Sequence, residues 1–394
     1  MTEELAALMK DVRAPAYVVL LDAVESNCRV LKSVAEKTGC RVILAQKAFS
    51  LPAAYPIIAQ YLDGVCASGL NEARMGREDF AKEVQTYCPA FTDANFGEIL
   101  KYSDKVIFNS LSQWHKFKGR LGEAERPVSV GLRVNPGHSE VENPLYDPCR
   151  AGSRFGVLRE ELDGVDLTGI DGLHFHALCE QGADVLERVL ESFEEKFGEI
   201  LKSNPITWVN FGGGHHITKP GYDLGLLCRT LSGFSARYPN LQVYVEPGEA
   251  VVYNAGYFVA EVVDLLARPG MDIAVLDASA ETHTPDVLAM PYRPQIVGSG
   301  AAGDKAYTYR LGGSSCLAGD FFGEYSFDHA LKIGDRLAFT DMALYSFVKN
   351  TTFNGVNLPA LYTYSRAAGL ALVREFGYDD FRNRLAGPDT GNAA

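Results

Sequence analysis

Between about residue 24 and residue 250 the chain alternates short β-rich runs with longer helical stretches. Eight such runs stand out: RVILAQ (41–46), DGVCAS (63–68), EVQTYC (83–88), KVIFN (105–109), VSVGLRV (128–134), GLHFHA (172–177), TWVNF (207–211) and QVYVE (242–246). Stretches such as LPAAYPIIAQYL, GLNEARMGREDF and ADVLERVLESFEEKFGEILKS lie between them. A strand that leads into a helix and on to another strand forms a parallel β/α unit. Eight units fit an α/β fold of the TIM-like (β/α)8 barrel type. The alternation by itself also permits an open, doubly wound sheet.

The ends of the runs favour the barrel. Lys47 follows the first, Arg133 and Asn135 flank the end of the fifth, and His176 lies in the sixth. Gly212, Gly213 and Gly214 follow the seventh, and Glu246 ends the eighth. A barrel gathers all C-terminal strand ends on one face, where active sites sit, whereas an open sheet spreads them along an edge. Past residue 256 the pattern changes. YFVAEVVDLL, MDIAVLDA, KAYTYRLGG and GDRLAFTD are strand-like runs joined by Gly, Pro and Asp turns, as in an antiparallel β domain. The early run AYVVLLD (16–22) is expected to join it. The expected organisation is a barrel over 24–256 and a second, mainly antiparallel β domain built from 1–23 and 257–394.

Composition narrows the function. A chain of 394 residues has room for a barrel and an appendage, and no apolar run approaches the roughly 20 residues of a membrane span. The opening MTEELAALMKDVRAP is acidic and helical in pattern, unlike a secretion or transit signal. The eight cysteines are scattered without a CxxC pair, which fits reduced thiols in a cytoplasmic protein and no clustered metal site. The net charge of −13 argues against nucleic acid as a partner. It suits a cationic small substrate, or serves solubility alone.

Several residues carry chemistry. Lys47, at the end of an apolar strand, would point into a barrel mouth, where desolvation makes a lysine a nucleophile that forms an imine with an aldehyde. A surface lysine at a strand–loop junction is the other reading. In FGGGHHIT the glycines let backbone N–H groups approach an anion, and barrels bind phosphate after strands seven and eight, although such a run also makes a flexible turn. The adjacent His215 and His216 cannot readily share one metal ion. Glu246 in YVEPGEA offers a carboxylate that favours a protonated pyridine nitrogen, and a structural ion pair is its alternative. His176 can stack on a planar cofactor, and His174 shares its side of the strand. Cys316, in LGGSSCLAGDFFGEY, is followed by Asp320, Glu324 and Tyr325, a neighbourhood suited to an amine-bearing ligand. An imine-forming lysine, a phosphate loop, a ring-nitrogen carboxylate and a stacking histidine are together the needs of pyridoxal phosphate.

Over nearly its full length the chain resembles the fold-type III pyridoxal-phosphate enzymes, the group of alanine racemase, ornithine decarboxylase and diaminopimelate decarboxylase. AQKAFS, HFHALCE, NFGGGHHIT, VEPGEA, LDASAETHTPDVLAMPYRPQI, GGSSCLAGD and YSFVKNTTFNG carry the resemblance. Within the group these motifs are most similar to those of decarboxylases of carboxylated polyamines, carboxynorspermidine or carboxyspermidine, which yield norspermidine or spermidine. The resemblance implies that Lys47 forms the imine, His176 stacks on the ring, Gly212 to Gly214 and Tyr345 bind phosphate, and Glu246 meets the ring nitrogen. Glu72 and Arg133 are implied as cofactor-supporting residues, and His283, Asp286, Asp320 and Glu324 as substrate-binding ones. Cys316 matches a catalytic cysteine donated by the partner of a homodimer with shared active sites. Relatives often read EPGR where this chain reads EPGE. Glu249 therefore replaces a phosphate-binding arginine and would favour a substrate with a distal ammonium. The rivals are a racemase, disfavoured by Glu246; a diaminopimelate or ornithine decarboxylase; and, from another class, a non-catalytic pyridoxal-phosphate carrier.

Overall fold

A computed structural model describes residues 8–386; the first seven residues of the acidic opening segment and residues 387–394 lie outside the described part. The chain divides into two compact units, one of Met1–Ala23 with Val252–Ala394 and one of Val24–Val251. Strand β1 (Ala16–Leu20) belongs to the first. The second holds β2 (Arg41–Ala45), β3 (Gly64–Ala67), β4 (Glu83–Tyr87), β5 (Lys105–Phe108), β6 (Ser129–Arg133), β7 (Gly172–His174), β8 (Trp208–Asn210) and β9 (Gln242–Val245). Each of the eight runs singled out above contains one of these strands. They pair in parallel from β2 round to β9, and β9 pairs back onto β2, so the sheet is a closed barrel.

Parallel strands covered on both faces read as nearly continuous apolar runs, and these do. The outer cover is clearest at the helix Ala183–Ser203, where Val185, Leu186, Val189, Leu190, Phe193, Phe197, Ile200 and Leu201 form one buried face at helical spacing. Phe193 packs against Phe175 beside β7 at a ring separation of 4.9 Å. Between β6 and β7, by contrast, the chain from 134 to 171 carries only the 3-10 turn Arg159–Leu162.

Ile43, Cys66, Ile107, Trp208 and Tyr244 pack together in the barrel interior, the Trp208 and Tyr244 rings toward its N-terminal end. The Trp208 indole needs space from its neighbours, and Gly131 on β6 and Gly172 on β7 provide it. A Cβ at Gly172 would lie 2.1 Å from the indole, and one at Gly131 would lie 2.4 Å from it. Gly172→Ala is therefore expected to force the ring to move and to destabilise the barrel by about 1–3 kcal/mol. A lower urea midpoint at unchanged slope would show this, whereas an unchanged midpoint would refute the packing account. Charged groups close the same end: Glu83 accepts from Lys105 Nζ at 2.5 Å and from Arg41, and the Tyr244 hydroxyl lies 3.1 Å from Lys105 Nζ and 3.2 Å from Arg41 Nη1.

The other unit is a sheet of β1 with β10 (Gly256–Leu266), β11 (Asp272–Leu276), β12 (Tyr307–Gly312), β13 (Phe321–Phe327), β14 (Arg336–Thr340), β15 (Ala360–Ser365) and β16 (Gly369–Arg374). Its order is β13-β12-β11-β10-β1-β15-β16, with β14 also on β10. Five of its seven pairings are antiparallel, while β1–β15 and β11–β12 are parallel. The early run AYVVLLD thus supplies a central strand. Leu8, Met9, Val12, Ala16, Val18, Val259, Ala338, Ala360 and Tyr362 form the core on its inner face.

Candidate active site

The C-terminal ends of the barrel strands converge on Lys47. It lies two residues beyond β2, and the backbone around it is fixed from both sides. Gln46, fully buried, donates through Nε2 to the Glu72 carbonyl at 2.8 Å and accepts from the Tyr55 hydroxyl at 2.9 Å. The Ala45 amide donates to the Pro247 carbonyl at 3.0 Å, and a Cβ at Gly248 would lie 2.6 Å from that of Ala48. Gly248 is what lets the turn after Glu246 seat against the lysine loop. Lys47 itself is exposed, and its Nζ lies 3.4 Å from His176 Nε2.

His176 Nδ1 lies 3.1 Å from the Gly213 carbonyl and accepts from the Gly213 amide at 3.2 Å, and its Nε2 faces Lys47. Burial, then the cations Lys47 and Arg133, hold its pKa well below the usual histidine range, so the ring is neutral. Arg133, 5% exposed, donates to the His176 carbonyl at 3.2 Å, with its guanidinium 4.6 Å from the Tyr87 ring centre and 4.5 Å from that of Phe155. Glu72 accepts from the Ser68 amide at 2.6 Å, and burial raises its pKa.

Glu246 is 7% exposed. Its Oε1 accepts from Asn210 Nδ2 at 2.7 Å and its Oε2 lies 3.5 Å from His174 Nε2. Burial acts to raise its pKa, but His174, Lys47 and the Cys66 thiol outweigh that and leave it lowered, a carboxylate at neutral pH. His174 is buried and stacked on Tyr87, with its Nε2 turned toward Glu246.

The glycine run is pressed onto backbone. A Cβ would come within 2.6 Å of the Phe175 carbonyl oxygen at Gly212, 2.1 Å of the Glu246 oxygen at Gly213 and 1.9 Å of the Leu178 oxygen at Gly214; Gly212 and Gly214 also have positive φ. Only glycine fits such positions. Glu249 does not face solvent: its Oε2 lies 2.8 Å from Nε2 of His216, in the loop that continues the run. His215 is instead a packed residue, bonded to the Tyr222 hydroxyl at 2.7 Å, its pKa pushed by burial down to about 4.

An amine, a neutral imidazole beside it, a buried carboxylate facing a second buried imidazole and a side-chain-free glycine cradle meet at one mouth. That donor set fits pyridoxal phosphate, an aldehyde on a nitrogen heterocycle with an anionic arm. Among the described residues no group of three or more His, Cys, Asp or Glu side chains is placed to hold a metal ion.

The remaining candidates lie in the sheet unit. Cys316 is exposed, and its amide donates to Asn354 Oδ1 at 2.7 Å. Asp320 turns inward: at 3% exposure its carboxylate accepts from the amides of Ala280 at 2.7 Å, Glu281 at 3.2 Å and Ser315 at 3.0 Å. It holds the loop that presents Cys316. Glu324 pairs with Arg310 Nη2 at 2.6 Å, and Asp286 with Lys349. His283 is a core histidine that accepts from the Ser279 amide and reaches the Asn357 carbonyl, its pKa lowered by burial to about 4. Tyr345 has φ 34° and lies at the start of the turn Ser346–Lys349. Sequence reasoning passed over Asn210, Gln85 and Gln46. The signal was present, since each is an amide inside or just after a barrel strand, where burial demands a partner.

Comparison with known proteins gives the family. The family model described as "Pyridoxal-dependent decarboxylase, C-terminal sheet domain" matches residues 17–343. The chain is 44% identical to the carboxynorspermidine/carboxyspermidine decarboxylase of Campylobacter jejuni subsp. jejuni, over 95% of this chain and 98% of that protein. It is 41% identical to the carboxyaminopropylagmatine decarboxylase of Synechocystis sp., over 94% and 95% respectively. The crystal structure of carboxynorspermidine decarboxylase complexed with norspermidine from Campylobacter jejuni superposes with a TM-score of 0.87 at 43% identity, covering 95% of this chain and all (100%) of that one. The fold also extends to the diaminopimelate decarboxylase of Helicobacter pylori, with a TM-score of 0.79 at 15% identity. With a lysine, a buried carboxylate and a glycine cradle at the mouth of a closed barrel, the chain belongs to the pyridoxal-dependent decarboxylase family, as a pyridoxal-phosphate-dependent carboxy-lyase of fold type III.

Proposed function

We propose that this enzyme decarboxylates a carboxylated polyamine, carboxynorspermidine or carboxyspermidine, to norspermidine or spermidine. The observation that carries the reading is 44% identity over 95% of the chain to a decarboxylase of those substrates. When bound, pyridoxal phosphate supplies the electron sink that accepts the electron pair released as the substrate carboxylate leaves as CO2. Lys47 would hold the aldehyde carbon through Nζ, Glu246 the ring nitrogen, His176 the ring face, and Gly212 to Gly214 the phosphate. Glu246, ionised in its buried position, keeps a proton on the ring nitrogen. Neutral His176, 3.4 Å from Lys47 Nζ, keeps the amine directed into the mouth.

We infer further that the working enzyme is a homodimer, in which Cys316 reaches the partner's barrel mouth and returns the proton to carbon, directly or through a water it orients. Asp320 then serves this site by shaping the Cys316 loop. Of the acidic residues proposed to meet a cationic tail, Glu249 is the one beside the glycine run.

Turnover of carboxynorspermidine or carboxyspermidine is expected to exceed that of diaminopimelate, ornithine and lysine by at least about 100-fold in kcat/KM, because a site built to hydrogen-bond a longer polyamine tail loses those contacts with a shorter or distally carboxylated substrate. CO2 release from each purified substrate measures this. Faster turnover of diaminopimelate than of either carboxy-polyamine would sink the assignment. Carboxyaminopropylagmatine belongs in the same assay, since 41% identity to its decarboxylase supports a guanidinium-ended tail as a second reading.

A further inference from the structure

Polar groups form a chain along the barrel interior, and its polarity is fixed from one end. Glu83 is an acceptor, and Lys105 and Arg41 donate to it. Gln85 on β4 therefore presents its NH2 to Glu83 Oε1, at 2.8 Å, and its carbonyl to Asn210. Asn210 on β8 must then donate, and its Nδ2 does so at 2.9 Å to Gln85 Oε1. The second proton of the same nitrogen goes to Glu246 Oε1 at 2.7 Å. That leaves Oδ1 to accept from the Gly212 amide, at 2.9 Å. Asn210 and Gln85 are fully buried, so every amide atom has to be paired. A flipped Asn210 amide would set oxygen against two oxygens and NH2 against an N–H.

We propose that Asn210 is a positioning residue whose carboxamide holds Glu246 as an ionised acceptor for the cofactor's ring nitrogen and keeps Gly212 in register with it. The proposal rests on the cofactor roles assigned above to Glu246 and the glycine run. A donor facing a carboxylate favours its charged form. The groups facing Glu246 come from every side of the barrel: His174 from β7, Cys66 from β3, Lys47 from beyond β2 and Asn210 from β8. Of these, Asn210 and the Cys66 thiol, whose pKa burial raises, are neutral donors, and of the two it is Asn210 that also touches the glycine run.

The test is Asn210→Asp, which keeps the shape and replaces the donor by a second carboxyl. Two carboxyl groups so close share a proton and titrate as a pair. In the pyridoxal-phosphate-loaded enzyme, the visible spectrum is expected to acquire a pH-dependent step that the wild type lacks. At the wild-type optimum kcat should fall at least about tenfold with KM within about twofold. Circular dichroism establishes that the variant is folded. A folded variant with the wild-type spectrum–pH curve and kcat overturns the proposal. A measurement on the wild type decides the matter even where the variant does not fold. With cofactor labelled at the ring nitrogen, the nitrogen-15 shift should be that of a pyridinium throughout the stable pH range, and a neutral pyridine at neutral pH overturns the proposal. A wild type that binds no pyridoxal phosphate overturns the parent reading instead, and is recognised by the lack of any visible absorption to titrate.

Discussion

Lys47→Ala is expected to abolish decarboxylation and to remove the visible absorption that depends on the imine between Lys47 and the bound cofactor. The amine is held where both effects follow from one atom. Gln46 and the Pro247 carbonyl fix the backbone on either side, and His176 Nε2 lies 3.4 Å from Nζ. Alanine leaves that scaffold intact, so the glycine cradle and Glu246 still bind pyridoxal phosphate, but nothing holds its aldehyde carbon. The loss of kcat should reach about 1000-fold or more, the scale on which removing a covalent participant acts. Absorption spectra of the purified variant and CO2 release report the two effects separately. A variant that retained both chromophore and turnover would show that the cofactor assignment to Lys47 is wrong.

Mixing two inactive proteins should restore activity. If Cys316 serves the partner's barrel, each site needs Lys47 from one chain and Cys316 from the other. Lys47→Ala and Cys316→Ala homodimers then have no complete site, whereas a heterodimer has one. In a random mixture about half the dimers are mixed, each carrying one intact site of two, so roughly a quarter of wild-type activity returns. The measurement is turnover after subunit exchange, with exchange followed by differently tagged chains. Cys316→Ala must itself be strongly impaired for the comparison to count. Given that, no recovery despite full exchange would place Cys316 in its own chain's site.

The barrel was legible because parallel strands buried on both faces write themselves as apolar runs with helices between, and RVILA to QVYV do so eight times. The sheet unit was read less fully. Phe321–Phe327 was hidden behind a glycine-rich turn and broken by Gly323 at φ 127°, and Gly369–Arg374 is an edge strand with Leu372 and Val373 exposed. In the site, residues at strand ends could be placed, since the barrel sets their position. The acidic residues could be seen as charges but not as pairs. Glu324 meets Arg310 across a strand pairing, Asp286 meets Lys349 over 63 residues, and Asp320 spends its oxygens on backbone amides. Such partners are set by strand register and loop closure, which local pattern does not encode.

The indole wedged between Gly131 and Gly172 also determines what an optical experiment can observe. Trp208 and Trp114 are the chain's two tryptophans; they are 3% and 4% exposed, and both belong to the barrel unit. Intrinsic emission therefore follows the opening of the barrel, while the sheet unit, with tyrosines but no tryptophan, melts unseen at that wavelength. Should the two units unfold separately, fluorescence and far-ultraviolet dichroism would trace two different curves. A single melting temperature taken from emission would then describe one unit of the enzyme.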